Sequence, residues 1–347
     1  MLLMGGGQTA YGAFGFGDLA AAADFLGPGA IETPRFESEI VDIVRRRGVL
    51  GQRVRSTPAT GQPSRYFEQT RIVAGAFQDP RNMTFAPGND PTRRERAVTL
   101  KALYATLNFG IFDVEVTRQQ GQFSMLVAKD IRDAIEGTMR TSDKGLWRGT
   151  DTDLVTPTTL EYVGFLTQIN RTASISSSAS IIDGVTAEVA SLMSSEDFDV
   201  RPTAIYLTPV LSDLINQEER LNHRQMPTTV INNVTGGLVV NAIATAAGVL
   251  PLIPDWAIGP GVASATESGK KDYKAVILSE SLCERHYLTT PEPRVFVLGL
   301  EGNLATRYVI VMFDSVVAKG KANASQAQNV VESGLTSYAH TVVTVIR

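Results

Sequence analysis

The longest helical pattern in the chain runs over residues 123–140. Apolar residues recur there every three to four positions, and charged residues of both signs fill the rest of the helical wheel. The recurring positions are Phe123, Val127, Ile131, Ala134, Ile135 and Thr138. Gly145 supplies the expected stop a few residues later. The pattern predicts one amphipathic helix, about 30 Å long, that lies across a sheet.

After this helix, short helical and strand patterns alternate. Residues 160–169 and 203–207 have the apolar character of strands, and residues 181–193 have the spacing of a helix. Thr208 and Pro209 fit the N-cap and first position of another helix, which reaches about residue 219. Further strands are predicted over residues 238–243, 247–253, 274–278, 284–288, 294–298, 307–315 and 341–346, with a polar surface loop over residues 320–340. This order of elements predicts an α+β fold.

The first 50 residues contain two different patterns. Residues 1–33 are rich in Gly and Ala and cannot bury much surface by themselves, so we expect an arm that lies on another surface. Residues 34–50 are predicted to form a helix whose last turn carries Arg45, Arg46 and Arg47. These arginines complement the helix dipole, with a phosphate contact as the alternative, and they are also candidate intersubunit contacts.

Residues 51–113 have the pattern of a long two-stranded excursion with a loose outer part. Strands are predicted over residues 54–56, 65–74 and 98–116, and the stretch between the last two is polar and rich in proline. A two-stranded ribbon has too few neighbours to be stable alone, so we expect it to rest on another chain. Its candidate intersubunit contacts are Phe77, Phe85, Arg93, Arg94 and Arg96.

Composition and charge narrow the class of protein. The chain has 347 residues, enough for two or three domains, and 43% hydrophobic and 20% charged residues are typical of a folded protein. The net charge of -4 argues against a dedicated nucleic-acid binder. The first residues lack the charged and apolar parts of a secretory leader. The most apolar run, residues 236–254, contains Asn241, Thr245 and Pro251 and is therefore a poor membrane span.

Candidate chemistry is sparse. Cys283 is the one cysteine, and a small buried apolar residue is a better interpretation than a nucleophile. His223, His286 and His340 show no metal-ligand spacing, and no nucleophile elbow or phosphate-binding loop occurs. The acidic stretch over residues 196–199 is interpreted as solvated charge. We therefore expect no catalytic residue, no bound cofactor and no metal ion.

Five stretches of the sequence resemble parts of a known family. They are LVAKDIRDAIEGTMRTSDKGLWRGT, RPTAIYLTPVLSDLI, GVLPLIPDWAIGPG with KDYKAVILSESLCERHYL, and RVFVLGLEGNLATRYVIVMFDSVV. In this order they resemble the spine helix, the axial-domain strand and helix, the later axial strands and the last peripheral strands of the major capsid protein of tailed double-stranded DNA phages. That family has the Hong Kong 97-type fold.

The resemblance implies a division of the chain into six parts. Residues 1–33 would be the N-terminal arm that reaches onto a neighbour, 34–50 the N-terminal helix, and 51–113 the extended loop that overlaps the adjacent subunit. Residues 114–175 would form the peripheral domain with its spine helix, and 176–290 the axial domain. Residues 291–347 would return to the peripheral domain as strands and a surface loop.

The same resemblance implies the function. One chain would self-assemble into hexamers and pentamers that tile an icosahedral head around phage double-stranded DNA, which it would contact non-specifically. Portal protein and, in some systems, scaffolding or decoration proteins would be its partners. It would be located in the virion after assembly in the host cytoplasm, without a membrane. The alternatives are an encapsulin-like compartment shell, which shares the fold, and an α+β enzyme with an unrecognised site.

The chain departs from the family pattern at one point. Some members join neighbouring subunits by an isopeptide bond from a lysine of the extended loop to an asparagine. Residues 1–100 contain no lysine, and Lys101 lies on the predicted returning strand. Arg93, Arg94 and Arg96 can pair with carboxylates but cannot form that bond. The sequence therefore predicts a non-covalent shell.

Overall fold

The computed structural model describes residues 47–71, 77–82, 92–120, 126–194, 199–222, 240–301, 304–322 and 336–347. The chain forms two compact units, of which the smaller comprises Met1–Ile43 and Val116–Ser124. Only residues 116–120 of that smaller unit are described. The predicted arm, most of the predicted helix over residues 34–50 and most of the outer part of the excursion lie outside the described residues.

Six helices and sixteen strands are present in the described ranges. The helices are α1 (Leu50–Arg53), α2 (Ile111–Gln120), α3 (Leu126–Arg148), α4 (Phe165–Gln168), α5 (Ile181–Met193) and α6 (Pro209–Asn222). The strands are β1 (Arg55–Pro58), β2 (Ser64–Arg71), β3 (Thr92–Val98), β4 (Lys101–Gly110), β5 (Thr172–Ile175), β6 (Ala204–Leu207), β7 (Ala242–Thr245), β8 (Gly248–Pro254), β9 (Val262–Ala263), β10 (Lys271–Leu278), β11 (Cys283–Tyr287), β12 (Arg294–Glu301), β13 (Ala305–Ala318), β14 (Lys321–Ala322), β15 (Thr336–Ser337) and β16 (Thr341–Ile346). This mixture confirms the predicted α+β class.

A five-stranded sheet is built around the long strand β13. Its order is β1-β11-β13-β12, and β4 also pairs with β13. All pairings with β13 are antiparallel, whereas β1 and β11 run parallel. The residues of β4 alternate between more and less buried, as expected for a strand that has one face covered by a helix. Helix α3 contacts both β4 and β13 and supplies that cover.

A seven-stranded sheet forms a second layer with its own helices. Its order is β5-β16-β10-β6-β8-β7, with β9 paired to β10. All four residues of β6 are buried, and the apolar faces of α5 and α6 complete the core beside it. In α5 this face consists of Ile181, Val185, Val189 and Leu192. The predicted helix over residues 181–193 is therefore confirmed.

Helix α3 is longer at its C-terminal end than the sequence indicates. Gly145 was predicted as the stop, and this was wrong, because the helix continues to Arg148. Leu146 and Trp147 are buried in the core that joins the two sheets, so packing holds the last turn in helical form. Gly145 instead lets the helix backbone approach Tyr162 closely, since a Cβ at this position would lie 2.6 Å from Cδ2 of Tyr162.

Two predicted strands differ from the structure. The strand predicted over residues 98–116 ends at Gly110, opposite Ala305 at the start of β13, and helix α2 begins at Ile111. The predicted strand over residues 160–169 is mostly irregular and contains the short helix α4. The side chain of Gln168 donates to the carbonyl oxygens of Val163 and Val316, at 2.7 and 2.9 Å, and so replaces strand pairing there.

The predicted surface loop over residues 320–340 is corrected at its end. His340 is fully buried, its Nδ1 accepts a hydrogen bond from the Ser279 amide, and its Nε2 lies 2.8 Å from the Lys319 carbonyl oxygen. Residues 323–335 lie outside the described residues.

Sheet membership does not follow the predicted boundary at residue 290. Strand β16, near the end of the sequence, lies in the seven-stranded sheet, whereas β11 lies in the five-stranded sheet. The six-part division of the chain remains a prediction.

Candidate intersubunit surfaces

Strands β2 and β3 form a two-stranded ribbon. They pair antiparallel from Ser64 opposite Val98 to Arg71 opposite Thr92. Phe67 and Glu95 are opposite each other, so their side chains share one face, together with Arg65, Gln69 and Arg93. All five are exposed, and Phe67 is 76% exposed. An aromatic side chain this exposed on a thin ribbon is a natural contact for another surface.

The opposite face of the ribbon is attached to the rest of the chain. Ser64 Oγ lies 3.0 Å from His286 Nδ1, and the Gly320 amide donates to Glu68 at 2.8 Å. Arg96 is only 2% exposed, and its Nε donates to the Glu68 carboxylate at 3.3 Å. These contacts fix the base of the ribbon to β11 and to the segment that follows β13.

His286 lies at the centre of this base. Burial lowers the pKa of His286, the charge of Glu284 opposes that shift, and the charge of Lys319 adds to it. Glu284 Oε2 lies 3.5 Å from His286 Nε2, which places serine, histidine and acid side chains in a row. Ser64 is 2% exposed, so no substrate carbonyl can reach its hydroxyl from solvent. The arrangement therefore holds the ribbon in place rather than forming a nucleophile site.

The predicted contact residues occupy different environments. Arg93 is exposed, Arg94 is half-buried and Phe77 is fully exposed. Arg96 is instead occupied within the chain by Glu68. Phe85, Arg45 and Arg46 lie outside the described residues.

Arg47 and the residues after it are held by two carboxylates that the sequence did not single out. Asp143 accepts from the Gly48 amide at 2.7 Å and from Arg47 Nε at 3.3 Å. Burial raises the pKa of Asp143, while the Gly48 amide and the charge of Arg47 oppose that shift. Only tertiary structure brings Asp143 to this position, since the two segments are separated by 95 residues.

Asp255 is the second of these carboxylates. Its Oδ2 accepts from Trp147 Nε1 at 3.0 Å and from the amides of Val49 and Leu50 at 3.1 and 3.3 Å. Its Oδ1 accepts from the Ala257 amide at 3.0 Å. Asp255 thereby joins the start of α1, the end of α3 and the segment after β8.

A third carboxylate fixes the loop after α3. Asp151 is fully buried and accepts from Lys101 Nζ, 2.5 Å away, and from the hydroxyl and amide of Thr158. Burial alone would raise the pKa of Asp151, but the hydrogen bonds from Lys101 and Thr158 outweigh it and hold that pKa well below its usual range. Lys101 Nζ also donates to the Thr159 carbonyl oxygen. The first lysine of the chain is therefore occupied by its own subunit.

An open cleft of about 620 Å³ lies between β4 and α3. Its apolar lining includes Leu103, Ala105 and Leu107 from the strand and Ala134 and Gly137 from the helix. Two acidic and two basic side chains complete the lining, and these are Asp130, Asp133, Arg140 and Lys144. Arg140 and Lys144 both lie over the ring of Trp256, at 5.0 and 5.9 Å from its centroid.

The face of the five-stranded sheet that points away from α3 is apolar and exposed. Val309 is opposite Phe296, and Val311 is opposite Tyr104, so these side chains share one face. Phe313 continues the patch along β13. Tyr104 is 69% exposed, while Phe296 and Phe313 are each about 40% exposed. An apolar sheet face of this kind is typical of a protein–protein contact surface.

The structure shows the surroundings of the other residues that the sequence analysis considered for a chemical role. Cys283 is fully buried, and burial raises the pKa of its thiol, which confirms it as a small core residue. Asp199 is exposed and lies 3.6 Å from Arg201. No group of three or more His, Cys, Asp or Glu side chains in the described ranges is placed to hold a metal ion. None of the helices described has the length and apolar character needed to span a membrane.

Solved structures from phages and from a GTA particle are similar in fold to this chain. The capsid asymmetric unit of cyanophage A-1(L) is similar with a TM-score of 0.64 and 10% identity, over 92% of this chain and 98% of that one. The Mycobacterium phage Bobi structure is similar with a TM-score of 0.60 and 10% identity, over 90% and 95% of the two chains. The capsid of the native GTA particle is similar with a TM-score of 0.59 and 9% identity, over 92% and 97%.

The chain therefore has the fold of the capsid proteins of tailed phages, the Hong Kong 97-type major capsid fold, as its sequence predicted. The similarity extends over nearly the whole chain in each comparison. No protein-family model matches the sequence, and no curated protein matches it significantly.

Proposed function

We propose that this chain is the structural major capsid protein of a tailed phage, which assembles into hexamers and pentamers of an icosahedral head. The observation that carries the proposal is the end-to-end similarity to capsid chains, which covers 92% of this sequence in the cyanophage comparison. We assign it no catalytic activity. Such a shell repeats a heterologous contact between copies until the surface closes.

The ribbon and the apolar sheet face are the surfaces that support assembly. The ribbon exposes Phe67, and Phe77 is fully exposed in the segment 77–82. The sheet face exposes Tyr104, Phe296 and Phe313. A monomer in water leaves this apolar area solvated, whereas neighbouring copies would bury it. Arg93 and Arg94 are proposed to contribute to the same contacts between subunits, as are Arg45, Arg46 and Phe85.

The remaining partners follow from a role as a container. Double-stranded DNA would be held non-specifically, because the net charge of -4 does not favour tight binding to phosphates. Portal protein and, where used, scaffolding or decoration proteins would complete the head. The chain would be located in the virion after assembly in the host cytoplasm.

Electron microscopy of the purified protein, beside light scattering, tests the proposal. We expect closed shells or flat sheets of hexamers. The diameter of the shells would distinguish a phage head from a smaller encapsulin-like compartment. A uniform monomer or dimer at high protein concentration would contradict the proposal and support a search for an enzyme site.

A further inference from the structure

We propose that strand β12 pairs with β12 of a second copy of this chain, antiparallel and about a two-fold axis at Val297. The five-stranded sheets of the two copies would then join into one continuous sheet. The inference adds a contact of a different kind to the proposed function, and it rests on that function only for its place in the shell. It is carried by an uncovered edge strand whose sequence is complementary to itself.

Strand β12 is an open edge of the five-stranded sheet. It pairs with β13 on one side, and no described strand pairs with its other side. An uncovered edge leaves a row of backbone N–H and C=O groups available for pairing with another strand. Edge strands that stay unpaired commonly carry a proline or a charged residue, and residues 295–300 contain neither.

Both faces of β12 are apolar and exposed. Val295 and Val297 lie on the face of the sheet that carries the buried Ile310, yet they are 39% and 60% exposed. Phe296 and Leu298 lie on the other face and are exposed to a similar extent. Four consecutive exposed apolar residues in an edge strand indicate a surface that another chain covers.

A β-bulge aligns the two ends of the strand. The pairing with β13 shifts by one position between Leu298 and Leu300, so Gly299 is an additional residue. In a regular strand, residues seven positions apart lie on opposite faces of the sheet. Because of the additional residue, the register of β12 against β13 places Arg294 and Glu301 on the same face. The strand therefore begins with a basic residue and ends with an acidic residue on one face of the sheet.

The sequence of the strand is complementary to itself in the antiparallel direction. With Val297 on the two-fold axis, each residue meets one of matching character in the second copy. The opposite pairs are Val295 with Leu300, Arg294 with Glu301, and Phe296 with the bulge at Leu298 and Gly299. No atom lies within 4 Å of the position that a Cβ of Gly299 would take, so the aromatic ring has room over it. Each pair occurs twice, because the axis exchanges the two copies.

The charged ends favour a second copy in this direction. Arg294 lies over the Phe296 ring of its own strand, 5.3 Å from the centroid, and forms no ion pair with another described residue. Glu301 is about 20 Å away along the same strand, which is too far for a pair within the chain. An antiparallel copy brings unlike charges together at both ends, whereas an in-register parallel copy would place arginine beside arginine.

A two-fold contact has a definite place in a shell. Copies within a ring of five or six meet by heterologous contacts, since each copy uses different surfaces toward its two neighbours. A contact of β12 with β12 is isologous, so it would join copies that belong to two adjacent rings. This location rests on the proposed function, whereas the pairing of the two strands does not.

A single cysteine tests the position of the axis. In Val297→Cys the new thiols of two copies face each other, so oxidised assembled protein should give dimers and no larger species on non-reducing gels. Val295→Cys is the matched control, because it lies on the same face of the same strand, but its counterpart would be about 13 Å away. We expect at least about fivefold more dimer from Val297→Cys. Cys283 is fully buried and does not interfere.

A charge exchange tests the register. Arg294→Glu and Glu301→Arg each place like charges at both ends of the contact, and each should reduce the yield of shells about fivefold or more. The double variant re-forms both pairs with reversed sign and should restore most of the yield. Because the two positions are about 20 Å apart within one chain, such a recovery reports a contact between copies. Thermal unfolding of each variant separates folding defects from assembly defects.

The outcomes separate this inference from the proposed function. Shells from the wild-type chain, with equal cross-linking of the two cysteine variants or no recovery in the double charge variant, would overturn the strand pairing and leave the capsid function standing. A chain that forms no shells, but whose Val297→Cys variant forms dimers well above the control, would support the pairing and contradict the capsid function. The absence of both shells and specific dimers would overturn both.

Discussion

Asp255 shows how one side chain can hold distant parts of the sequence together. It is 1% exposed and accepts hydrogen bonds from the indole of Trp147 and from the amides of Val49, Leu50 and Ala257. A buried donor that loses its acceptor carries the full cost of its desolvation. The path of the chain at the start of α1 therefore depends on this carboxylate.

Replacing Asp255 is expected to lower the free energy of unfolding. Asp255→Ala leaves several buried donors without an acceptor, and a loss of about 3 kcal/mol or more should follow. Asp255→Asn keeps one carbonyl oxygen and should cost less. Denaturant unfolding measures both, with Asp183→Ala on the exposed side of α5 as the control, expected to cost below about 1 kcal/mol. Equal effects of Asp255→Ala and Asp183→Ala would contradict this role.

Gly145 offers a second prediction, because helix propensity and packing have opposite effects on the stability of a Gly145→Ala variant. An exposed helical Gly→Ala substitution stabilises by about 1 kcal/mol. At Gly145 the new Cβ would lie 2.6 Å from the Tyr162 ring, and Tyr162 is buried with its hydroxyl bonded to Asp314. We expect Gly145→Ala to destabilise the protein by about 1–3 kcal/mol, measured by thermal unfolding. Gly299→Ala is the control, because no atom lies within 4 Å of the position that its Cβ would take. Stabilisation by Gly145→Ala would show that Tyr162 moves freely.

At the scale of elements, the sequence predicted which helices and strands are present better than it predicted where each one begins and ends. Helix α5 and strand β16 match their predicted bounds, because apolar periodicity and burial agree there. Helix α3 exceeds its predicted end, because Leu146 and Trp147 are buried in a core whose other residues are distant in sequence, and no local pattern encodes that packing. The ribbon was predicted from its strands and turn, but its attachment through His286 was not, because a histidine in a strand gives no sign of what faces it.

The base of the ribbon is expected to loosen in acid. Burial lowers the pKa of His286 from 6.5, so the folded state favours the neutral ring. This stabilising contribution is present above about pH 6.5 and is lost as the pH falls through the lower pKa of the folded state. The His286 ring faces Ser64, Tyr66, Glu284 and Lys319. The charge of Lys319 opposes protonation of the ring.

Hydrogen exchange measures this effect. Corrected exchange rates over residues 64–69 should rise in the wild-type chain below about pH 6. His286→Gln should remove most of this dependence on pH, because the replacement does not titrate. Identical pH profiles in the two proteins would exclude His286 as the cause.

At the scale of the whole molecule, the order of parts along the chain predicted the fold that the solved capsid structures confirm. The cleft between β4 and α3 was not predicted. It depends on how far the helix stands from the strand, and that distance is set by packing at the buried end of the helix, around Trp147.

The shell is expected to be held without covalent links. Lys101 is buried and bonded to Asp151, and residues 1–100 contain no lysine, so residues 51–113, the predicted extended loop, offer no accessible amine for an isopeptide bond. Purified particles boiled in reducing SDS should run at the mass of one chain. A ladder of bands above the monomer would contradict the prediction.

The place of β16 has a consequence for synthesis on the ribosome. This strand, made after residue 340, lies between β5 and β10, which are both made earlier. The edge strand β5 therefore cannot join the other five strands of the sheet until β16 has left the exit tunnel. We expect stalled nascent chains that lack β16 to be cut rapidly by added protease, and chains with β16 exposed beyond the tunnel to resist it. In the assembly proposed for this chain, unfinished copies would thus be kept out of a growing shell by the order of translation.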